Sequence, residues 1–251
     1  VDCVISPESD SEPFLLSLLR SFIRSINSLF VVPSLSKSNR NYSPAQILSR
    51  FDRIRDLRME LPSGDLRLDS GVSVRWFAEF GSSLRSCVIL GFHDGDGNGS
   101  GGGLKARVVW TISALIAASA RHYLLREVIG AHPEMRRLVL YDKEGEGVVS
   151  LRADGLKECR LDEDPDCSAG GGGRTVVPSV RMRMRHEPRV RINGAWVEGA
   201  TLVVVRPCGE AEDVGEDDAE LAMGAFGSGA YGDAVRELLK SKSCLLEMNS
   251  F

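Results

Sequence analysis

The longest hydrophobic pattern in the chain lies within residues 104–140. Val108, Ile112, Leu115, Ser119 and Tyr123 recur at helical spacing, and Val109, Ile116, Leu124 and Val128 widen the stripe until most of the cylinder is apolar. A helix of that kind belongs inside a fold, with other elements around it. Gly130 stands where a left-handed cap would end it, and Pro133 follows three residues later. A second, amphipathic helix is predicted over 14–30, with Ser17, Arg20, Ser21, Arg24 and Asn27 on its wet side and an apolar stripe that faces a core by default. A third is predicted over 231–240, turning Val235, Leu238 and Leu239 inward and ending in a basic residue.

Short runs of β-forming residues punctuate the rest: 53–61, 72–80, 86–92, 137–142, 156–162, 179–185, 201–207 and a last one at 244–248. Together they predict an α/β fold, a sheet of short strands with the long helix buried against it. Ile54, Leu57, Met59 and Leu61, like Met135, Leu138 and Leu140, also approximate the L-x-x-L-x-L spacing of leucine-rich repeats. A degenerate repeat-like arrangement is therefore the alternative, although the spacing is irregular and the Asn ladder is missing. The Ser/Asn-rich stretch 33–42 reads as a linker, dividing the chain into 1–42 (amphipathic helix and linker) and 43–251 (an α/β partner-recognition domain). Residues 94–103 are mostly glycine, 162–173 are acidic and then poly-Gly, and 207–220 are acidic; all three read as loops.

Composition narrows the function classes. A chain of 251 residues can bury a substantial core, and a formal charge of −4 gives no general reason to expect nucleic acid or an anionic membrane surface. The longest uncharged part of the central helix, 108–120, is short of the roughly 20 residues that cross a bilayer. Asp2, Glu8, Asp10 and Glu12 ahead of the first helix are the wrong charge for a signal peptide. The six cysteines show neither a CxxC pair nor a framework spacing, and Cys87 sits inside a strand pattern as a buried thiol. A reducing cytoplasmic or nuclear compartment is expected.

Candidate chemistry is sparse. Gly97-x-Gly99-x-x-Gly102 has the form of a phosphate loop, but no acid follows at the distance that would bind a ribose, and the match reflects glycine content. Asp94, Asp96 and Asn98 imitate half of a calcium loop whose twelfth position is Lys105 instead of a bidentate Glu. His93, His122, His132 and His186 have no metal-ligand spacing, and no G-x-S-x-G occurs. The expectation is no cofactor, no metal and no enzyme. Residues 179–191 hold five arginines against one Glu, while 210–220 hold seven acids and no base. On a strand, Arg181, Arg183 and Arg185 share one face and Met182 and Met184 the other. The arginines are the candidate partner-binding residues, suited to an acidic segment. The competing reading is a solvated face neutralised by the acidic stretch 210–220.

Five blocks in a fixed order closely resemble one plant family. They are SPAQILSRFDRIRDLRMELPSGD (43–65), WFAEFGSSLRSCVILGF (76–92), LKARVVWTISALIAASARHYLLR (104–126), RTVVPSVRMRMRHEP (174–188) and GATLVVVRP (199–207); LLEMNSF (245–251) resembles the family's last residues. The family is the auxin-up-regulated group of F-box proteins. Its F-box lies upstream of all these blocks and is expected to be absent here, the chain opening at Val1 as a fragment or truncated product. The resemblance implies the substrate-recognition region of the receptor subunit of an SCF-type E3 ubiquitin ligase. Its client would be a protein, and adaptor and cullin would be partners only where an F-box precedes. The alternative is a stand-alone interaction module not coupled to degradation.

Overall fold

Along the described residues the elements run β1 (Cys3–Ile5), β2 (Asp56–Leu61), β3 (Val72–Phe80), β4 (Leu84–His93), α1 (Leu104–Ala131), β5 (Arg137–Asp142), β6 (Gly147–Arg152), α2 (Ala153–Leu161), β7 (Val180–Ile192), β8 (Ala195–Pro207), α3 (Gly215–Phe226), α4 (Gly232–Lys240) and β9 (Ser243–Met248). This computed structural model describes residues 3–5, 48, 51, 53–61, 71–93, 103–161, 174–209 and 215–251. The helix expected at 14–30, the linker 33–42 with the boundary at 42/43, the Gly-rich loop 94–102 and the segment 162–173 lie outside the described residues.

All nine strands among the described residues join one mixed sheet in the order β1-β9-β7-β8-β4-β3-β6-β5-β2. Its pairings decide between the two arrangements the strand pattern allowed. β3 with β4, β4 with β8, β7 with β8, β7 with β9 and β5 with β6 are antiparallel, whereas a repeat sheet stacks its strands in parallel. The α/β sheet with a buried long helix is what forms.

Burial follows from the layers. β3 alternates, with Val74, Trp76, Ala78 and Phe80 turned into the core beneath α1. β4 and the central part of β8 are buried on both faces, which explains their unbroken apolar runs. On one face Cys87, Ile89, Val203 and Val205 meet the α1 core, while on the other Val88, Leu90, Leu202 and Val204 meet the core under α3 and α4. α1 is 28 residues long, enough by length and composition to cross a membrane, but it runs continuously through Arg107 and Arg121 and is packed as a core helix.

Several expectations are corrected. The run expected as a strand over 156–162 is, over its described residues 156–161, most of helix α2: Leu156 and Cys159 lie three apart, a helical spacing, and both pack on the α1 core. α1 does not end on a left-handed Gly130. It continues to Ala131, and the Arg160 side chain on α2 donates to the carbonyls of His132 and Met135 at 3.0 and 3.1 Å and of Ile129 at 3.5 Å. A cation on the last carbonyls satisfies the end that a glycine cap would have served. The acidic stretch read as loop throughout is helix α3 from Gly215 onward, since carboxylates favour a helix N-terminus. Strands β1 and β6 had no expectation at all.

β7 and β8 form a ribbon longer than its neighbours. β9 stops pairing at Arg185↔Ser243 and β4 at Gly91↔Thr201, while β7 and β8 continue to Ile192↔Ala195. Asn193 and Gly194, at φ 49° and 84°, close the hairpin with the left-handed pair a two-residue turn requires. The ribbon also changes faces. Ala200 and Leu202, which pair with Glu187 and Arg185, point toward α4, yet farther out it is Val190 and Val197 that do so. The half-turn falls at Pro188 and Gly199, and Gly199 has φ 60°. At the chain end, Phe251 and Val177 exchange backbone hydrogen bonds at 3.0 and 3.1 Å.

Candidate partner-binding surface

Alternation places Arg181, Arg183 and Arg185 together on the α3/α4 face of the sheet, opposite the buried Met182 and Met184. Each meets a partner from a neighbouring element. Arg181 pairs with Glu247 of β9 at 3.2 Å, and Arg185 donates to the Ser241 carbonyl at 2.8 Å. Arg183 Nε stands 3.1 Å from Asp218 Oδ2, off the hydrogen-bonding line, and its Nη1 donates to Ser243 Oγ. Arg206 of β8 donates to the other oxygen of Asp218 at 3.0 Å. The buried Asp218 carboxylate in the first turn of α3 therefore bridges two strands. Burial pushes its carboxyl above the ordinary range, against the opposing pull of Arg206, Arg183 and Arg185. One acid of the 210–220 run thus reaches the arginine face.

Beside this bridge a cleft of about 420 Å³ opens against the sheet, lined by Phe77, Val88 and Leu221 and by the charged Glu79, Arg152 and Arg206. Glu79 and Arg152 pair with each other across its rim at 3.3 Å.

Sequence reasoning missed the polar network under α1. Arg121, 2% exposed, pairs with the buried Asp142 at 3.0 Å, donates to the Gly147 carbonyl at 2.9 Å and lies 4.7 Å from the centre of the Trp76 ring. Asp142 accepts the backbone N–H groups of Glu146 and Gly147 at 2.6 and 2.8 Å, so one carboxylate orders the β5–β6 turn and neutralises the cation. Gly147 is required by this contact: a Cβ there would lie 2.3 Å from the indole of Trp76. The legible signal was an arginine inside an otherwise apolar helix, and an aspartate ending a strand before Lys-Glu-Gly-Glu-Gly.

His122, one residue on, is a packed histidine. It stacks on Phe80 at 4.4 Å, shares a hydrogen bond with Thr175 Oγ1 at 2.7 Å, and lies 3.6 Å from the Cys159 thiol. Burial lowers its pKa to about 4, helped by repulsion from Arg126 and opposed by the Gly81 carbonyl. Burial also raises the Cys87 thiol far above its ordinary value. Among the described residues no group of three or more His, Cys, Asp or Glu is placed to hold a metal ion. Cys87, Cys159, Cys208 and Cys244 are free thiols.

Taken together, the described residues define a mixed α/β domain in which the buried carboxylates Asp142 and Asp218 bind its own elements to one another through Arg121, Arg183 and Arg206. No family model matches the chain, and no solved structure does. Curated proteins do. F-box protein AUF2 of Arabidopsis thaliana is 48% identical over 263 residues, spanning 97% of this chain and 83% of that protein. F-box protein AUF1 of the same plant is 46% identical over 281 residues, with the same coverage of both. The chain belongs to this family of plant F-box proteins, the auxin-up-regulated group. Proteins of this kind generally act as receptor subunits of SCF-type E3 ligases and as adaptors rather than enzymes.

Proposed function

We propose that residues 43–251 form the client-recognition domain of an SCF-type ubiquitin-ligase receptor, with 1–42 leading into it and an F-box contacting the SCF adaptor. Similarity to AUF2 along nearly the whole chain is the observation that carries this reading. The domain holds a protein client; ubiquitin transfer belongs to other subunits. The basic strand β7, with Arg181, Arg183 and Arg185 at its root, is the client-facing element. The protein works in the cytoplasm or nucleus, in keeping with its free thiols, and its abundance or its client's turnover responds to auxin.

The test uses the full-length gene product in plant cells. Intact protein is expected to co-purify with the adaptor and cullin and to shorten the half-life of co-purifying clients. Deleting 43–251 should leave adaptor capture intact while abolishing client turnover. Failure of the full-length protein to capture adaptor would overturn the ligase reading and favour a stand-alone interaction module. Capture of adaptor with unchanged client half-lives would overturn the receptor role.

A further inference from the structure

Strand β7 carries five arginines, and the structure divides them into two sets. Arg181, Arg183 and Arg185 are bound to other elements of the sheet and of the α3/α4 layer. Arg189 and Arg191, beyond the half-turn at Pro188 and Gly199, are exposed on the outer face of the ribbon. There they flank Trp196, with guanidinium carbons 5.3 and 5.9 Å from the indole centre. Neither has a carboxylate at ion-pair distance among the described residues. Trp196 is 57% exposed, while the other two tryptophans, Trp76 and Trp110, are buried. An exposed indole held between two cations is unusual for a solvent face, because it leaves a large apolar surface in water.

A second feature lies at the same place. Past Arg185 and Thr201 no strand among the described residues pairs with either edge of the ribbon. Unpaired strand edges accept an added strand, and side chains on one face of that strand would then meet Arg189, Arg191 and Trp196. We propose that the ribbon tip docks an extended acidic peptide of a partner protein, which adds along the free edge of β7 and sets its carboxylates against Arg189 and Arg191 beside Trp196. The inference rests on the receptor reading only for its biological use, naming the class of client segment.

Charge complementarity selects this occupant. The acids at 210–214 cannot reach it. They follow Pro207, and β8 carries the tip roughly 40 Å from that end. The six links from Gly209 to Gly215 span about 22 Å at most and must return. The Asp94–Asp96 stretch begins nearer, since His93 touches Gly199, but its five glycines between 94 and 102 would lose much conformational freedom on docking. Nucleic acid is disfavoured because only two arginines are grouped here, with Glu198 beside them, on a chain of net charge −4.

The test is fluorescence anisotropy on the whole chain with a labelled decapeptide alternating Glu and Thr, which presents its acids on one face when extended. Saturable binding that weakens with salt is expected. The variant R189Q/R191Q should lose at least about tenfold in affinity and W196A about fivefold, both with unchanged melting temperature. R189K/R191K should retain more affinity than the Gln pair, and the charge-matched R58Q/R137Q at the opposite edge should stay within about twofold of wild type. Absence of saturable binding, or equal losses in the two Gln pairs, overturns the proposal. So does tightening on D94N/D96N, which would make the chain's own loop the occupant, or tighter binding of a ten-residue oligothymidylate through the same three residues. Adaptor capture by the full-length protein is independent of all these outcomes and reports on the receptor role separately.

Discussion

At the scale of single residues, the sequence marked the odd side chains of the long helix without saying what they meet. Arg121 broke an apolar run and His122 followed it; their partners, Asp142 and Thr175, come from 21 and 53 residues away. Separations of that size are invisible to periodicity. Replacing Arg121 with Met would leave the Asp142 carboxylate buried with only its turn amides, and should cost about 3–5 kcal/mol in urea unfolding. His122 sets a pH dependence. Its folded pKa of about 4 lies below the ordinary histidine value of 6.5, so between those values the unfolded chain binds more protons than the folded one. Its contribution is therefore complete above pH 6.5 and is lost as pH falls toward 4, by about 3 kcal/mol in all. Asp218, with a raised carboxyl, titrates with the opposite sign. The comparison to make is stability against pH for wild type and His122→Phe, and the variant is expected to show a flatter curve through this window whatever its absolute stability. Parallel curves would place the titration elsewhere.

Elements were legible where one periodicity ruled and illegible where two readings share the same residues. β3, β4, β7 and β8 followed from alternation or unbroken apolar runs, and α4 from its inward Val235 and Leu238. The 156–162 segment was misread because its apolar residues are too few for spacing to separate helix from strand; docking on α1 decides it. The acids leading into α3 were read as a loop, when carboxylates also mark a helix start. α1 ended later than its glycine suggested because Arg160, on another element, supplies the stop. Substituting Arg160 with Ala should leave three carbonyls without their cationic donor. It should raise amide exchange over 126–131 and lower stability by about 1–3 kcal/mol, with little change at the start of the helix. Uniform exchange changes along all of α1 would refute this assignment of the cap.

For the molecule as a whole, the fold class and seven of the nine described strands were readable, but strand order was not, because it is fixed by pairings between distant segments. β3 lies parallel to β6 across an intervening hairpin partner and α1, and β7 is enclosed by β8 on one side and β9 on the other. The same was true of the candidate surface: alternation correctly grouped Arg181, Arg183 and Arg185, whereas the half-turn that sends Arg189 and Arg191 to another face depends on how the ribbon crosses α4. The enclosure of β7 has a consequence for synthesis. Ser243 of β9, which pairs with Arg185, is translated 58 residues after it, since 243 − 185 = 58. At roughly 5–20 residues per second, β7 waits about 3–12 seconds as an open edge on a nascent chain. Alternating guanidinium groups repel a second copy of the same strand, so Arg181, Arg183 and Arg185 guard that edge before they hold the finished fold. Arg181→Val should accordingly reduce the soluble yield of cell-free translation, while the folded fraction unfolds within about 1 kcal/mol of wild type. An arginine on this strand then serves two chains in succession, the one still leaving the ribosome and the one that has closed.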